Sequence, residues 1–590
     1  MIRMLKTFLM IVGALSLVSL LSGLITTIVL WTTGEDVPER TILEIDFTKG
    51  VVEYVPDDVS ARMVVDSGPT TMELVEALEM AADDDRVRAL VARIAPGRMG
   101  FGRIQEMRDA VARFRDSGKP AFAWADTFGE MSAGNGAYYL ATAFDEIHLQ
   151  PSGNVNITGL MMQGRFLKGT FDKIGLEARM DRRKEYKSAL NTFTETSFTE
   201  PQEEALTAVM DSMFNGMVAG IAERRGLSES DVRDLFDRGV LSAEAARDAG
   251  LVDSLNYRDA VYDAARKIAG AGAEPLSITT YLRRGERRYA EGTAVALIHG
   301  VGMIHRGRSE LNPLFGEPLM SAVRITSAFR DAIEDKSVKA ILFRVDSPGG
   351  SYVGSDSIWR EVQRARDAGK PVIVSMGDVA GSGGYFVAMP ANRIVAHPAT
   401  ITGSIGVYAG KFLTSDFWEM LGISWDEIHT CPQATLWTGT QDYTPEQWAL
   451  LQSTLDRIYI DFTEKAASGR DLPLEHVQEV ARGRIWTGAD ALDLGLVDSL
   501  GGIPEAIRLL REAADLAPDA PIRLKRFPRP KKFLESILQK LGPLAGLLAN
   551  EGAYPAGRHL EALEPALREL GRRVGPVQAG PLTMPAVEIR

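Results

Sequence analysis

Gly381-Ser382-Gly383-Gly384 is the stretch of this chain best suited to chemistry: a serine between glycines, after the apolar run Pro371-Val372-Ile373-Val374-Ser375 and before a helix-like run. Glycines on both sides let the backbone turn sharply and bring its N–H groups close to a bound carbonyl, which is what an acyl-transferring serine requires. Taken alone, the motif equally describes an ordinary strand-to-helix loop. A serine hydroxyl needs a base. None of the seven histidines falls in a recognisable triad arrangement, and His148 and His397 stand at predicted strand ends. A lysine serves if burial disfavours its charged form. Lys187 is a candidate because Tyr186, Ser188, Ala189 and Leu190 surround it, although a solvated cation beside Arg182, Arg183 and Lys184 is the competing reading. The sequence offers no His-Glu-x-x-His, no cysteine pair and no phosphate loop, so neither a metal nor a cofactor nor ATP is expected.

The elements that position these groups come from a duplication. Gly134-Asn135-Gly136-Ala137-Tyr138 recurs as Gly381-Ser382-Gly383-Gly384-Tyr385, and Gly250-Leu251-Val252-Asp253-Ser254-Leu255 recurs as Gly495-Leu496-Val497-Asp498-Ser499-Leu500. Gly118-Lys119-Pro120 and Gly369-Lys370-Pro371 keep the same order. Such ordered self-similarity marks a tandem repeat of a domain-sized unit. In the second copy the pattern predicts strands over 295–298, 340–345 and 372–375, with helices over 322–334 and 356–368. The first copy repeats this with strands over 43–47, 89–94 and 121–124 and helices over 72–82 and 105–114. Strands alternating with helices of this length predict β-α-β crossovers, a largely parallel sheet and an α/β class for both copies. Residues 38–290 and 291–532 are the expected repeats. The boundary falls near 269–288, and a similar Pro-then-basic segment over 521–532 closes the second copy; both are open to being strand ends instead of linkers.

The copies differ where chemistry would lie. Asn135 stands opposite Ser382 and cannot be a nucleophile; Asp346-Ser347-Pro348-Gly349-Gly350 faces Ala95-Pro96-Gly97-Arg98-Met99, which lacks the paired glycines. Conversely, the region of the second copy facing Lys187 contains no lysine. Each half keeps part of one site.

Composition bounds the rest. With 590 residues, 45% of them hydrophobic, the chain builds more than one core. Its net charge of -13 argues against a nucleic-acid partner, and a single cysteine, Cys431, excludes an intramolecular disulfide framework. Residues 7–34 carry no charge, and Phe8 to Trp31 is long and apolar enough to span a bilayer. Arg3 and Lys6 precede this run; Glu35 and Asp36 follow it. The positive-inside rule leaves residues 1–6 cytoplasmic and carries the bulk of the chain across the membrane. An uncleaved anchor is expected over a signal peptide because the run is long and no A-x-A site is evident. Residues 533–550 read as an amphipathic, leucine-rich stretch beside a basic cluster, and 553–590 as a poorly ordered tail.

Asp346-Ser347-Pro348-Gly349-Gly350, Gly381-Ser382-Gly383-Gly384-Tyr385, Thr402-Gly403-Ser404-Ile405-Gly406 and Tyr186-Lys187-Ser188-Ala189, in a duplicated chain behind one anchor, resemble the long form of the signal peptide peptidase A (protease IV) family over about residues 40–530. The resemblance implies Ser382 as nucleophile, Lys187 as general base and Ser404 as the residue orienting the lysine. It also implies a crotonase-like (Clp protease-like) β-α superhelix in each half and a bowl-shaped homotetramer. Hydrophobic remnants of cleaved signal peptides, on the periplasmic side of a bacterial inner membrane, are the implied substrates. The residues themselves are consistent with oxyanion donors at Gly383 and at Gly349 or Gly350. Two rivals keep the fold without the peptidase: a catalytically silent membrane scaffold, and an acyl-CoA enzyme, which a periplasm-facing anchor disfavours.

Overall fold

The computed structural model describes residues 36–55, 68–97, 99–309, 318–529, 582–584 and 588–589, together with Ser19, Ser22 and Gly23. The expected membrane anchor and the amphipathic stretch over 533–550 lie outside the described residues.

Two parallel sheets share one strand order. In the first half it is Glu274–Ser277, Thr41–Asp46, Val87–Arg93, Ala121–Ala125, Glu146–Leu149 and Ser254–Leu255, all parallel neighbours. In the second it is Ile522–Phe527, Thr293–Val301, Val338–Ser347, Val372–Gly381, Arg393–Ala396 and Ser499–Leu500. Strands buried on both faces by crossover helices must be apolar nearly throughout, and Ala121–Ala125 is buried at every position. The segments at 274–277 and 522–527, which the sequence left open between linker and strand, are the edge strands of the two sheets.

Helix ends follow local chemistry. Thr70 and Glu73 form a reciprocal capping box at the start of Thr71–Asp83, and the Ser321 side chain accepts from the Arg324 amide at the start of Ala322–Glu334. Each satisfies an amide that has no partner inside its helix.

The second half extends its third strand. Val372–Gly381 pairs first with Arg393–Ala396 and then, past a register shift against Val338–Ser347, with Ile401–Gly403. Ala121–Ala125, its counterpart, stops after five residues. The extension is what carries Ser382 beyond the sheet.

The halves are joined by a two-stranded antiparallel ribbon, Glu177–Arg183 against Val407–Leu413, and by a buried charge cluster. Arg344 of the second half is 2.7 Å from Glu53 and 3.0 Å from Glu106 of the first, each side chain at most 3% exposed. Glu200–Arg225 is the one described helix long and apolar enough to cross a membrane. Its Ala205, Leu206, Val209 and Met213 instead pack with Ala399 and Ile485 of the second half, so it serves as a core helix here.

Leu582–Thr583 corrects the expectation of a poorly ordered tail at that point. It forms a strand antiparallel to Gly349–Gly350. The sheet edge there offers unpaired backbone groups, and Leu582 and Met584 offer apolar surface to bury.

Candidate active site

Ser382 sits at the junction of the strand Val372–Gly381 and the short helix Gly383–Ala388, with φ 53° and ψ -115°. That conformation is strained for a residue with a Cβ. It is held by the Ser382 N–H, which donates to the Gly403 carbonyl at 2.8 Å, and by glycines 383 and 384, whose added Cβ atoms would meet Ser355 Oγ and the Ser347 carbonyl. Asn135 opens the equivalent helix, Asn135–Ala141, without positive φ. Its side chain is spent on structure: Nδ2 donates to the Gly159 carbonyl at 2.8 Å and Oδ1 accepts from the Thr158 amide at 2.9 Å.

Lys187 follows the ribbon strand Glu177–Arg183 and is wholly buried. Its Nζ lies 2.7 Å from Ser382 Oγ, 3.0 Å from the Ser404 carbonyl oxygen and 3.1 Å from Ser404 Oγ. No carboxylate offsets the burial, so desolvation holds its pKa well below the usual lysine range. The competing reading, a solvated cation, does not hold in this structure. The charged neighbours find other partners: Arg183 pairs with Asp181 and Asp456, and Arg182 donates to Asn191 Oδ1 at 2.6 Å.

Ser404 has φ 52° and donates its N–H to the Arg484 carbonyl at 2.6 Å. The same loop accepts the Tyr186 N–H at the Arg482 carbonyl, 3.2 Å away. Between them, Gly483 has φ +81° and so little room that an added Cβ would stand 2.7 Å from Lys187 Cα. Residues 482–484 thus clamp both the lysine and its partner serine. Reading the sequence missed this clamp, and the lone glycine between two arginines was its only signal.

The glycines of the Asp346-Ser347-Pro348-Gly349-Gly350 segment converge on Ser382. An added Cβ on Gly383 would stand 3.1 Å from both Gly349 Cα and Gly350 N. The segment is fixed upstream: Ser347 Oγ donates to the Gly302 carbonyl at 2.7 Å, and Asp346 Oδ1 accepts the Val379 N–H at 3.0 Å. Burial, reinforced by the charge of Asp378 and opposed by Arg103, pushes the Asp346 pKa up to about 7. His148 and His397 are buried at strand ends, and among the described residues no histidine is hydrogen-bonded to Ser382.

A serine hydroxyl buried against an amine, beside convergent glycine amides, is the equipment of a serine hydrolase. The chain belongs to peptidase family S49, whose model matches it twice, over residues 113–272 and 364–517, and it is a serine protease. It is 32% identical to the chloroplastic serine protease SPPA of Arabidopsis thaliana, over 83% of this chain and 72% of that protein. Protease 4 of Salmonella typhi is 31% identical over 75% of this chain and 72% of its own length. Protease 4 of Haemophilus influenzae is 28% identical, over 80% and 76%. Among solved structures, a ClpP1 point mutant from Listeria monocytogenes covers 36% of this chain at 12% identity and a TM-score of 0.24, with 94% of its own chain matched, a likeness from which no shared property follows.

Proposed function

We propose that the chain is a membrane-anchored endopeptidase with a Ser382/Lys187 dyad, assembled from its two halves and acting on hydrophobic peptides such as cleaved signal peptides. The observation that carries this is the 2.7 Å contact between Lys187 Nζ and Ser382 Oγ at a fully buried amine. A neutral amine has one lone pair and two N–H groups. The three neighbours of Nζ match that inventory if Ser382 O–H donates to the lone pair while the N–H groups go to the carbonyl and hydroxyl of Ser404. Ser404 is then the orienting residue.

In the reaction, Ser382 Oγ attacks the peptide carbonyl carbon and its proton passes to Lys187 Nζ. The resulting ammonium protonates the leaving amine as the C–N bond breaks, leaving an ester on Ser382. Water then attacks that ester with Lys187 again as base, and the product leaves as a carboxylic acid. The oxyanion takes N–H groups from Gly383 and the paired glycines, each worth about 2.7 to 4 kcal/mol. Because the Gly349 N–H already donates to Ser347 Oγ at 3.2 Å, Gly350 is the second donor.

A crotonase-like (Clp-like) superhelix in each half, a homotetramer, and a periplasm-facing location behind an anchor at residues 7–34 complete the proposal. They are supported by the family resemblance and by the charge asymmetry around the apolar run. The experiment is cleavage of an apolar signal-like peptide by the parent, Ser382→Ala and Lys187→Ala. Both variants should lose activity by about 10²- to 10⁴-fold or more with the fold retained, and undiminished cleavage by either would remove that residue from the mechanism.

A further inference from the structure

The cleft beside Ser382 is occupied by the chain's own C-terminal residues. Leu582–Thr583 lies antiparallel to Gly349–Gly350, with Leu582 opposite Gly350 and Thr583 opposite Gly349, and the Met584 N–H donates to the Pro348 carbonyl at 2.8 Å. Farther on, the backbone of Glu588–Ile589 pairs with Met162–Gln163 of the first half. This is strand addition to a free edge, a common way for a protein to hold an extended peptide.

Three details give the strand its register on the site. An added Cβ on Gly349 would overlap the Leu582 carbonyl oxygen and stand 2.6 Å from the Gly383 amide nitrogen, so this carbonyl lies on the face shared by Gly349 and Gly383. Thr583 is hydrogen-bonded through its side chain to Tyr408, on the ribbon that leads to Lys187. Met584 lies over Gly381, where any added Cβ would overlap its thioether. Gly381 is a strand residue outside the positive-φ region, so backbone conformation does not explain why it is a glycine. Room for a ligand side chain does. Leu582 is fully buried and Met584 is 7% exposed; Met584 packs among Leu206 and Met213 of the first half and Ile485 of the second.

We propose that residues 582–584 are an intramolecular occupant of the substrate cleft, with the Leu582 carbonyl in the place of the scissile carbonyl. The cleft then selects extended peptides with an apolar residue at the Leu582 position and a second two residues later, over Gly381. Substrate must displace this segment, so the tail is a built-in competitor. The inference rests on Ser382 marking the reacting carbonyl.

The test compares the full chain with Leu582→Asp/Met584→Asp and with a chain ending at residue 581, on an apolar peptide substrate. A synthetic peptide matching residues 580–590 is added in trans. Both altered chains should show a KM lower by about tenfold, because the competent state is no longer depleted by its own tail. The synthetic peptide should restore the higher KM competitively, and its own Leu-to-Asp version should not. Equal KM values together with no competition would overturn the proposal. Titrating the synthetic peptide into Ser382→Ala carrying the two tail substitutions separates this reading from the catalytic one. Saturable binding there supports the occupied cleft even if no form cleaves peptide, whereas cleavage by the parent with no such binding leaves the dyad standing and removes the tail.

Discussion

Gly483 backs directly onto Lys187: an added β-carbon would stand 2.5 Å from the lysine's amide nitrogen and 2.7 Å from both its Cα and its Cβ. These are backbone and near-backbone atoms that cannot swing aside, and φ +81° adds strain for any other residue. Gly483→Ala should therefore push the lysine away from Ser382. A shift near 1 Å in a reacting group costs about 100-fold. The expected result is a fall of that order in kcat, with circular dichroism unchanged; parental kcat would show that the clamp has slack.

Ser404→Ala tests the other side of the clamp. It removes the hydroxyl 3.1 Å from Nζ but keeps the carbonyl contact at 3.0 Å. Losing one hydrogen bond of about 1 kcal/mol and some orientation should lower kcat by about tenfold while KM stays close to the parent's. A rise in KM without a fall in kcat would assign Ser404 to substrate binding instead.

Lys187 also links activity and stability to pH. Its folded pKa is depressed, so between that value and the ordinary lysine range the native state holds the amine neutral while the unfolded chain holds it charged. Folding then releases a proton, and the stability penalty is largest at low pH and fades as pH rises through the ordinary lysine range. Lys187→Met should accordingly raise Tm most in acid and least in alkali. In the parent, kcat/KM should climb as the amine deprotonates, with a midpoint well below the usual lysine range. A Tm gain that grows with pH would contradict the neutral amine.

How much of this was legible in the sequence depends on where the determinants lie. Ser382 could be found because its glycines, the strand before it and its counterpart Asn135 are all local or repeated features. The strand order could be read for the same reason, since apolar runs such as Ala121–Ala125 announce themselves. Lys187 was a named candidate, but its neighbours in sequence are mostly charged. Its burial comes from residues 482–484 and from Ser382 and Ser404, about 200 to 300 positions away, and no local pattern encodes that. The strand at Leu582–Thr583 has two residues, too few for periodicity, and exists only because Gly349–Gly350 offers an edge.

Asp346 gives a stability prediction of the opposite sign to that of Lys187. Burial first, and then the nearby charge of Asp378, raise its pKa to about 7. A carboxyl whose folded pKa is raised contributes stability that is fully present below the ordinary aspartate range and is lost as pH rises through about 7. Asp346→Asn keeps an oxygen able to accept the Val379 N–H, which Asp346 Oδ1 takes at 3.0 Å. The substitution should therefore leave acid stability near the parent's and abolish the decline towards pH 7, making the variant the more stable protein at neutral pH. Denaturant midpoints at a series of pH values would measure it. Parallel pH curves for parent and variant would mean that Asp346 is ionised throughout, and that Arg103 outweighs the burial.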